Sequence, residues 1–201
     1  MKKLFVGIDL GRYGGYGMID ESGELIDYGE MPYKMDNFDI KKMVEILSKL
    51  QEKYRLISTF EIINAIPGQS SVATQTFGKT IGEQAAPLKL LDIPYNEVSP
   101  TEWKKNVLKG MSWKPETVRF KAPKGATKEE IEELKKQHKK EHGSSNNKAK
   151  RESKKVSSEF VMKMFPKADI IRDNKYHDGI ADAICLGYYG YLLDRGSLLK
   201  Q

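Results

Sequence analysis

Two apolar runs of strand length in this chain each close on a carboxylate, Leu4-Phe-Val-Gly-Ile-Asp9 and Leu56-Ile-Ser-Thr-Phe-Glu61. Towards the other end, His177-Asp-Gly-Ile-Ala-Asp182 sets Asp178 and Asp182 four residues apart in a stretch of helical spacing. Strand side chains alternate between the two faces of a sheet, whereas residues i and i+4 of a helix share one face. A single layered packing of helix on sheet can therefore gather all four acids. Clustered carboxylates repel one another and titrate as a coupled group, and a divalent cation relieves that repulsion. Hard oxygen donors suit Mg²⁺ or Mn²⁺, which directs the expectation towards phosphodiester chemistry.

Taken singly, the residues leave other readings open. Asp9-Leu-Gly11 is also turn chemistry, and Asp178 also suits a helix N-cap. Glu61 and Asp182 are harder to explain as structural. An unpaired carboxylate is costly to bury, and Asp182 stands among Ile180, Ala181, Ala183 and Ile184. His177 reads either as a ligand to metal or water or as a structural residue at a helix start.

At 201 residues the chain is long enough for one substantial core with an appendage. No apolar run approaches the roughly 20 residues of a membrane span. Met1-Lys-Lys3 resembles the basic start of a secretion signal, but Asp9 and Gly11 interrupt the apolar stretch that would follow. The expectation is an intracellular, cytoplasmic protein with no membrane partner. One cysteine, Cys185, excludes an internal disulfide framework and a cysteine-based zinc cluster, and its apolar neighbours mark it as a buried core thiol. The net charge of +6 is unevenly placed. Between Ser112 and Ser158 there are 14 Lys/Arg against 7 Asp/Glu, so the positive field belongs to one segment.

Leu4 to Asp9, Tyr16 to Asp20 and Leu25 to Met31 read as an antiparallel meander, with glycines in its first turn and Glu21-Ser-Gly-Glu24 in its second. Asp39 is an N-cap for an amphipathic helix carrying Ile40, Met43, Val44, Ile46, Leu47 and Leu50. Leu56 to Ile63 reads as a central strand. A loop at Pro67 to Ser70 leads to a helix over Val72 to Leu91, with Ala73, Phe77, Ile81, Ala85 and Leu88 inward and Pro87 as a kink site. Tyr95 to Val98 is a short strand, and Ser99-Pro-Thr-Glu102 starts a helix anchored by Trp103 and Val107, with Lys104, Lys105 and Lys109 outward. Residues 112–147 read as an exposed charged insertion within a single domain of residues 1–201. The insertion holds a helical stretch near Thr127 to His142, in which His138 and His142 are solvated, and a linker at Gly143-Ser-Ser-Asn-Asn147. A last helix runs from Asp178 to about Leu193, where Tyr188, Tyr189 and Tyr191 line a packing face or an interface. The fold class is α/β: a mixed sheet, an antiparallel meander followed by parallel strands, flanked by helices in ribonuclease H-like order.

The chain resembles RuvC-like Holliday junction resolvases, particularly their short phage-type branch. The resemblance is carried by Gly7-Ile-Asp-Leu-Gly11, Glu61 with Pro67-Gly-Gln69, Thr76-Phe-Gly78, Ile93-Pro-Tyr95, Val98-Ser-Pro100, Trp103-Lys-Lys105, Phe165-Pro166 and His177-Asp-Gly-Ile-Ala-Asp-Ala183. These span nearly the whole chain outside the insertion. The resemblance implies a ribonuclease H-like core, a two-fold homodimer, and cleavage of branched DNA such as four-way junctions with two Mg²⁺ or Mn²⁺ ions. It carries over Asp9, Glu61, Asp178 and Asp182 as catalytic, metal-holding acids. The bacterial pattern sets the two helix positions three apart, whereas here they are four apart with His177 ahead of them. On such a nuclease Lys104 and Lys105, with the run Lys148, Lys150, Arg151, Lys154 and Lys155, are the expected phosphate contacts. The loop from Asn64 to Ser71 would lie beside the active site.

Three alternatives stay open. A nucleotide-binding phosphotransferase of the actin and sugar-kinase type shares the Asp-x-Gly turn, but it needs a second similar domain for which 201 residues leave no room. A junction binder without catalysis would be expected to lack one of the acids. Another nuclease of the same fold, acting on RNA–DNA hybrids or branches in general, is poorly separated by sequence.

Overall fold

The structure, a computed structural model, describes residues 1–62 and 70–198, the side chains of Ala73 and Phe77 excepted. Ile63, the segment Asn64 to Gln69 and the inward packing expected of Ala73 and Phe77 lie outside the described residues. The chain divides into two compact units, one of Met1–Lys109 with Ser157–Gln201 and one of Gly110–Val156. Among the described residues no helix is long and apolar enough to cross a membrane.

The larger unit is built on a five-stranded sheet among the described residues. Its strands are β1 (Lys2–Asp9), β2 (Gly15–Asp20), β3 (Leu25–Glu30), β6 (Tyr54–Glu61) and β7 (Tyr95–Val98), in the order β3-β2-β1-β6-β7. The first three form the antiparallel meander, and β6 and β7 add in parallel beside β1. Two small hairpins are additions to the expected elements. One pairs β4 (Tyr33–Lys34) with β5 (Asn37–Phe38), and the other pairs β8 (Ile171–Arg172) with β9 (Lys175–Tyr176). The second turns at Asp173 and Asn174, both at positive φ (49° and 59°), which suits a two-residue hairpin turn.

Alternation along β1 divides the two layers. Leu4, Val6 and Ile8 pack on one side with Met43 and Leu47 of α1 (Ile40–Gln51), Leu56 and Phe60 of β6, and Leu88 of α2 (Ser71–Leu90). Burying each such side chain contributes about 1.5–3 kcal/mol. Helix α1 is capped as expected, the Asp39 carboxylate accepting from Lys42 N at 3.0 Å. Pro87 is accommodated inside α2 in the last turn of that helix.

The opposite face of β1 carries Phe5, Gly7 and Asp9 and receives α5 (Asp178–Asp194), a helix buried on most sides. Close approach is possible because small residues meet. A Cβ placed on Gly7 would collide with Ala183 O and Gly187 N of α5. Gly7→Ala is therefore expected to destabilise by about 3 kcal/mol, the upper end of overpacking costs, read as a lower urea midpoint at unchanged m. A variant as stable as wild type would mean that the helix has slack against the sheet.

The smaller unit holds residues 110–127 and the first part of α4 (Lys128–Met164), whose last turns, from Ser157, belong to the larger unit. A capping box starts the helix: Thr127 N donates to Glu130 Oε2 at 2.8 Å, and Glu130 N donates to Thr127 Oγ1 at 3.3 Å. The run Gly143 to Asn147, read above as a linker, is helical. Glycine, serine and asparagine disfavour helix by at most about 1 kcal/mol each, and Asn146 offsets part of this through contact with the preceding segment. Its side chain accepts from Val118 N at 2.9 Å and donates to Val118 O at 3.0 Å. His138 and His142 are half-buried rather than solvated. Their rings lie 4.8 Å apart, tilted by 58°, with Phe120 edge-on to His138 at 5.6 Å.

Candidate active site

Asp9 and Glu61 are the last residues of β1 and β6, neighbouring parallel strands whose register runs Gly7 to Thr59 and Ile8 to Phe60. One further step sets Asp9 beside Glu61, both on the face that receives α5. The start of α5 is fixed against the turn after Asp9 by a parallel bridge between Gly14 and Gly179. A Cβ on Gly179 would collide with Tyr13 O and Gly14. The His177 ring caps the helix, its Nδ1 accepting from Ile180 N at 3.1 Å. Asp178 is thus the first residue of the helix and not its cap, and it is exposed, whereas Asp182 one turn on is half-buried.

Asp9 and Asp182 respond to burial and to their charged neighbours. Burial pushes the Asp9 carboxyl well above the usual carboxylate range, and the charges of Asp182, Glu61 and Asp178 push it further, with Lys104 opposing. Burial also raises Asp182, Lys104 and a hydrogen bond from Ser157 pull it down, and Glu61 and Asp178 push it up. Burial, then the charge of Asp182, raises the Cys185 thiol well above its ordinary value, so it stays protonated in the core as expected.

Helix α3 (Pro100–Val107) closes the site. Ser99 caps it, accepting from Glu102 N at 3.2 Å. Lys104 does not point away from the body as the helical spacing predicts. It is half-buried, its charge reaches Asp9 and Asp182, and its Nζ lies 5.0 Å from the Trp103 ring centroid. Lys105 is exposed. Sequence reasoning assigned Trp103 to core packing alone, but its indole N–H donates to Glu61 Oε2 at 2.7 Å. Gln84 of α2, fully buried, was missed altogether. It accepts from Gly11 N at 2.8 Å and donates to the Tyr33 hydroxyl at 2.7 Å, tying down the loop that follows Asp9. Among the tyrosines of α5, Tyr189 is buried and donates to Glu102 Oε1 at 2.8 Å, while Tyr188 packs on Phe160 and Phe165. The five basic residues Lys148, Lys150, Arg151, Lys154 and Lys155 are all exposed on α4 in the smaller unit.

The donor set fits a hard divalent cation in kind: carboxylate oxygens at adjacent strand ends and on one helix face, with Asp9 carrying the repulsion that a cation would relieve. Among the described residues, however, no group of three or more His, Cys, Asp or Glu is drawn together closely enough to hold one ion. Glu61 is engaged by Trp103.

No family model matches the chain, and no curated protein sequence matches it. Solved structures do. RuvC of Thermus thermophilus in complex with a Holliday junction substrate aligns over 98% of this chain and 98% of its own, with a TM-score of 0.53 and 10% identity. A second Thermus thermophilus RuvC structure aligns over 97% and 98%, with a TM-score of 0.55 and 13% identity. The chain has a RuvC-like fold. Its mixed sheet, with parallel and antiparallel strands flanked by helices, is ribonuclease H-like as the sequence predicts. At such low identity the RuvC-like fold fixes the architecture and leaves activity to be argued from the site.

Proposed function

We propose that the chain is a metal-dependent, structure-selective endodeoxyribonuclease of the phage-type RuvC-like branch that resolves Holliday junctions and other branched DNA inside the cell. The observation that carries this reading is the approach of Asp9 and Glu61, at adjacent strand ends, to the α5 face bearing Asp178 and Asp182. The junction-bound RuvC of the same fold supports the choice of substrate.

When bound, two Mg²⁺ or Mn²⁺ ions supply activation of the attacking water and neutralisation of charge on the leaving 3′ oxygen. Asp9, raised by burial and by the charges of its acidic neighbours, would be among the residues that hold them. Glu61 and Asp182 would hold them as well, and Asp178, exposed in the first turn of α5, would help orient the water. Carboxylates are required because amides bring no charge to offset the cations. Lys104 sits beside the acids and pairs with the phosphate being cut. Lys105 and, in the smaller unit, the α4 run Lys148, Lys150, Arg151, Lys154 and Lys155 contact DNA phosphates, which gives affinity without sequence readout. A two-fold homodimer meets a four-way junction with two equivalent strands to cut.

The test is Mg²⁺-dependent cutting of a synthetic four-way junction beside matched linear duplex and RNA–DNA hybrid. Paired symmetric nicks confined to the junction are expected. Cutting of the hybrid alone would make the protein a ribonuclease H, and tight junction binding with no nick would make it a non-catalytic binder.

A further inference from the structure

Trp103 is 0% exposed, and its indole is engaged at both the edge and the face. At the edge, its only polar atom donates to Glu61 Oε2 at 2.7 Å. Across the face, the Lys104 ammonium stands 5.0 Å from the ring centroid. An indole has one donor and no acceptor, so this bond cannot be exchanged for another within the core. Loss of the partner would leave a buried group unpaired at a cost. The bond fixes the Glu61 carboxylate through Oε2. The helix that carries Trp103 is itself braced. Ser99 caps it, and the Tyr189 hydroxyl joins Glu102, the residue before Trp103, to α5, the helix that carries Asp178 and Asp182.

We infer that Trp103 is a positioning residue: it holds the Glu61 carboxylate in place and sets the Lys104 ammonium beside the acid cluster. The inference rests on the reading of Asp9, Glu61, Asp178 and Asp182 as metal-holding acids. It adds that α3 aligns one of those acids and the site's own cation through one side chain. Partners that orient a metal ligand typically change metal affinity or activity about 10–100-fold when removed.

The chain holds two tryptophans, so Trp113→Phe leaves Trp103 as the only indole. In that background Mn²⁺ alone, with no DNA, should alter the Trp103 emission and saturate, and the response should vanish in Asp9→Asn. Trp103→Phe, which keeps a ring and removes the N–H, should raise the Mn²⁺ concentration needed for half-maximal cutting by about 10–100-fold. It should also lower kcat and leave junction affinity unchanged. The Mn²⁺-induced gain in Tm should shrink by more than any drop in metal-free Tm. Cutting by Trp103→Phe with wild-type metal dependence and kcat overturns the inference while leaving the nuclease reading intact. So does an emission insensitive to Mn²⁺ in a protein that still cuts junctions. A saturating, Asp9-dependent emission change in a protein that cuts no DNA does the reverse: it supports the positioning role and removes the nuclease. Should Trp103→Phe fail to fold, the emission titration, made on a protein with Trp103 in place, decides the matter by itself.

Discussion

Purified Asp9→Asn should bind a four-way junction as tightly as wild type and cut it at least about 10³-fold more slowly. Bound metals stabilise transition-state charge by several kcal/mol, and each 1.36 kcal/mol is tenfold in rate. The same change should raise stability without metal. The folded protein holds the Asp9 carboxyl above its ordinary value, through burial first and then through Asp182 and Glu61. An acid shifted in that direction binds more protons folded than unfolded between its two pKa values, so stability falls as pH rises through that interval. In chelator, Asp9→Asn and wild type should therefore melt together in acid and separate as pH rises to neutrality, the variant melting higher. Saturating Mg²⁺ should close or reverse the gap. Wild-type nicking by Asp9→Asn would remove the catalytic assignment, and a pH-independent gap would remove Asp9 from a repelling cluster.

The second large effect concerns the exposed basic run on α4. Changing Lys148, Lys150, Arg151, Lys154 and Lys155 together to Gln keeps good helix formers in place and removes five positive charges. If each neutralises one phosphate, the slope of log affinity against log salt should become shallower by about 4.5. Between 50 and 200 mM salt the wild type would then lose about 500-fold more affinity than the variant. Filter binding or fluorescence anisotropy across that range reads the slope, and kcat at saturating junction should stay unchanged. An unaltered salt slope would mean that this run is a solvated face of the smaller unit, with no part in holding DNA.

Much of this arrangement is legible in local pattern. Alternation along Leu4 to Asp9 and Leu56 to Glu61 fixes which face each acid occupies, since a strand has a side-chain period of two. The i and i+4 spacing of Asp178 and Asp182 fixes their shared helix face. Asp39 and Ser99 announce their helices through cap chemistry that needs only the next three residues. The continuity of α4 through Gly143 to Asn147 was illegible because its compensation comes from Val118, 28 residues away. The β8–β9 hairpin left a signal in Asp173-Asn174, a pair suited to positive φ.

Local pattern is enough to place Asp9 and Glu61 on their strands, to assign the faces of the acids and to name the donor set, because backbone periodicity dictates these within a few residues, although β6 runs Tyr54–Glu61 rather than Leu56 to Ile63. Tertiary structure alone decided that His177 caps α5 and that Lys104 turns in towards the acids. It also decided that Trp103 gives its one hydrogen bond to Glu61, 42 residues away. Those roles depend on which groups are left unpaired when α3 and α5 close on the sheet, and a pattern of near neighbours carries no information about that.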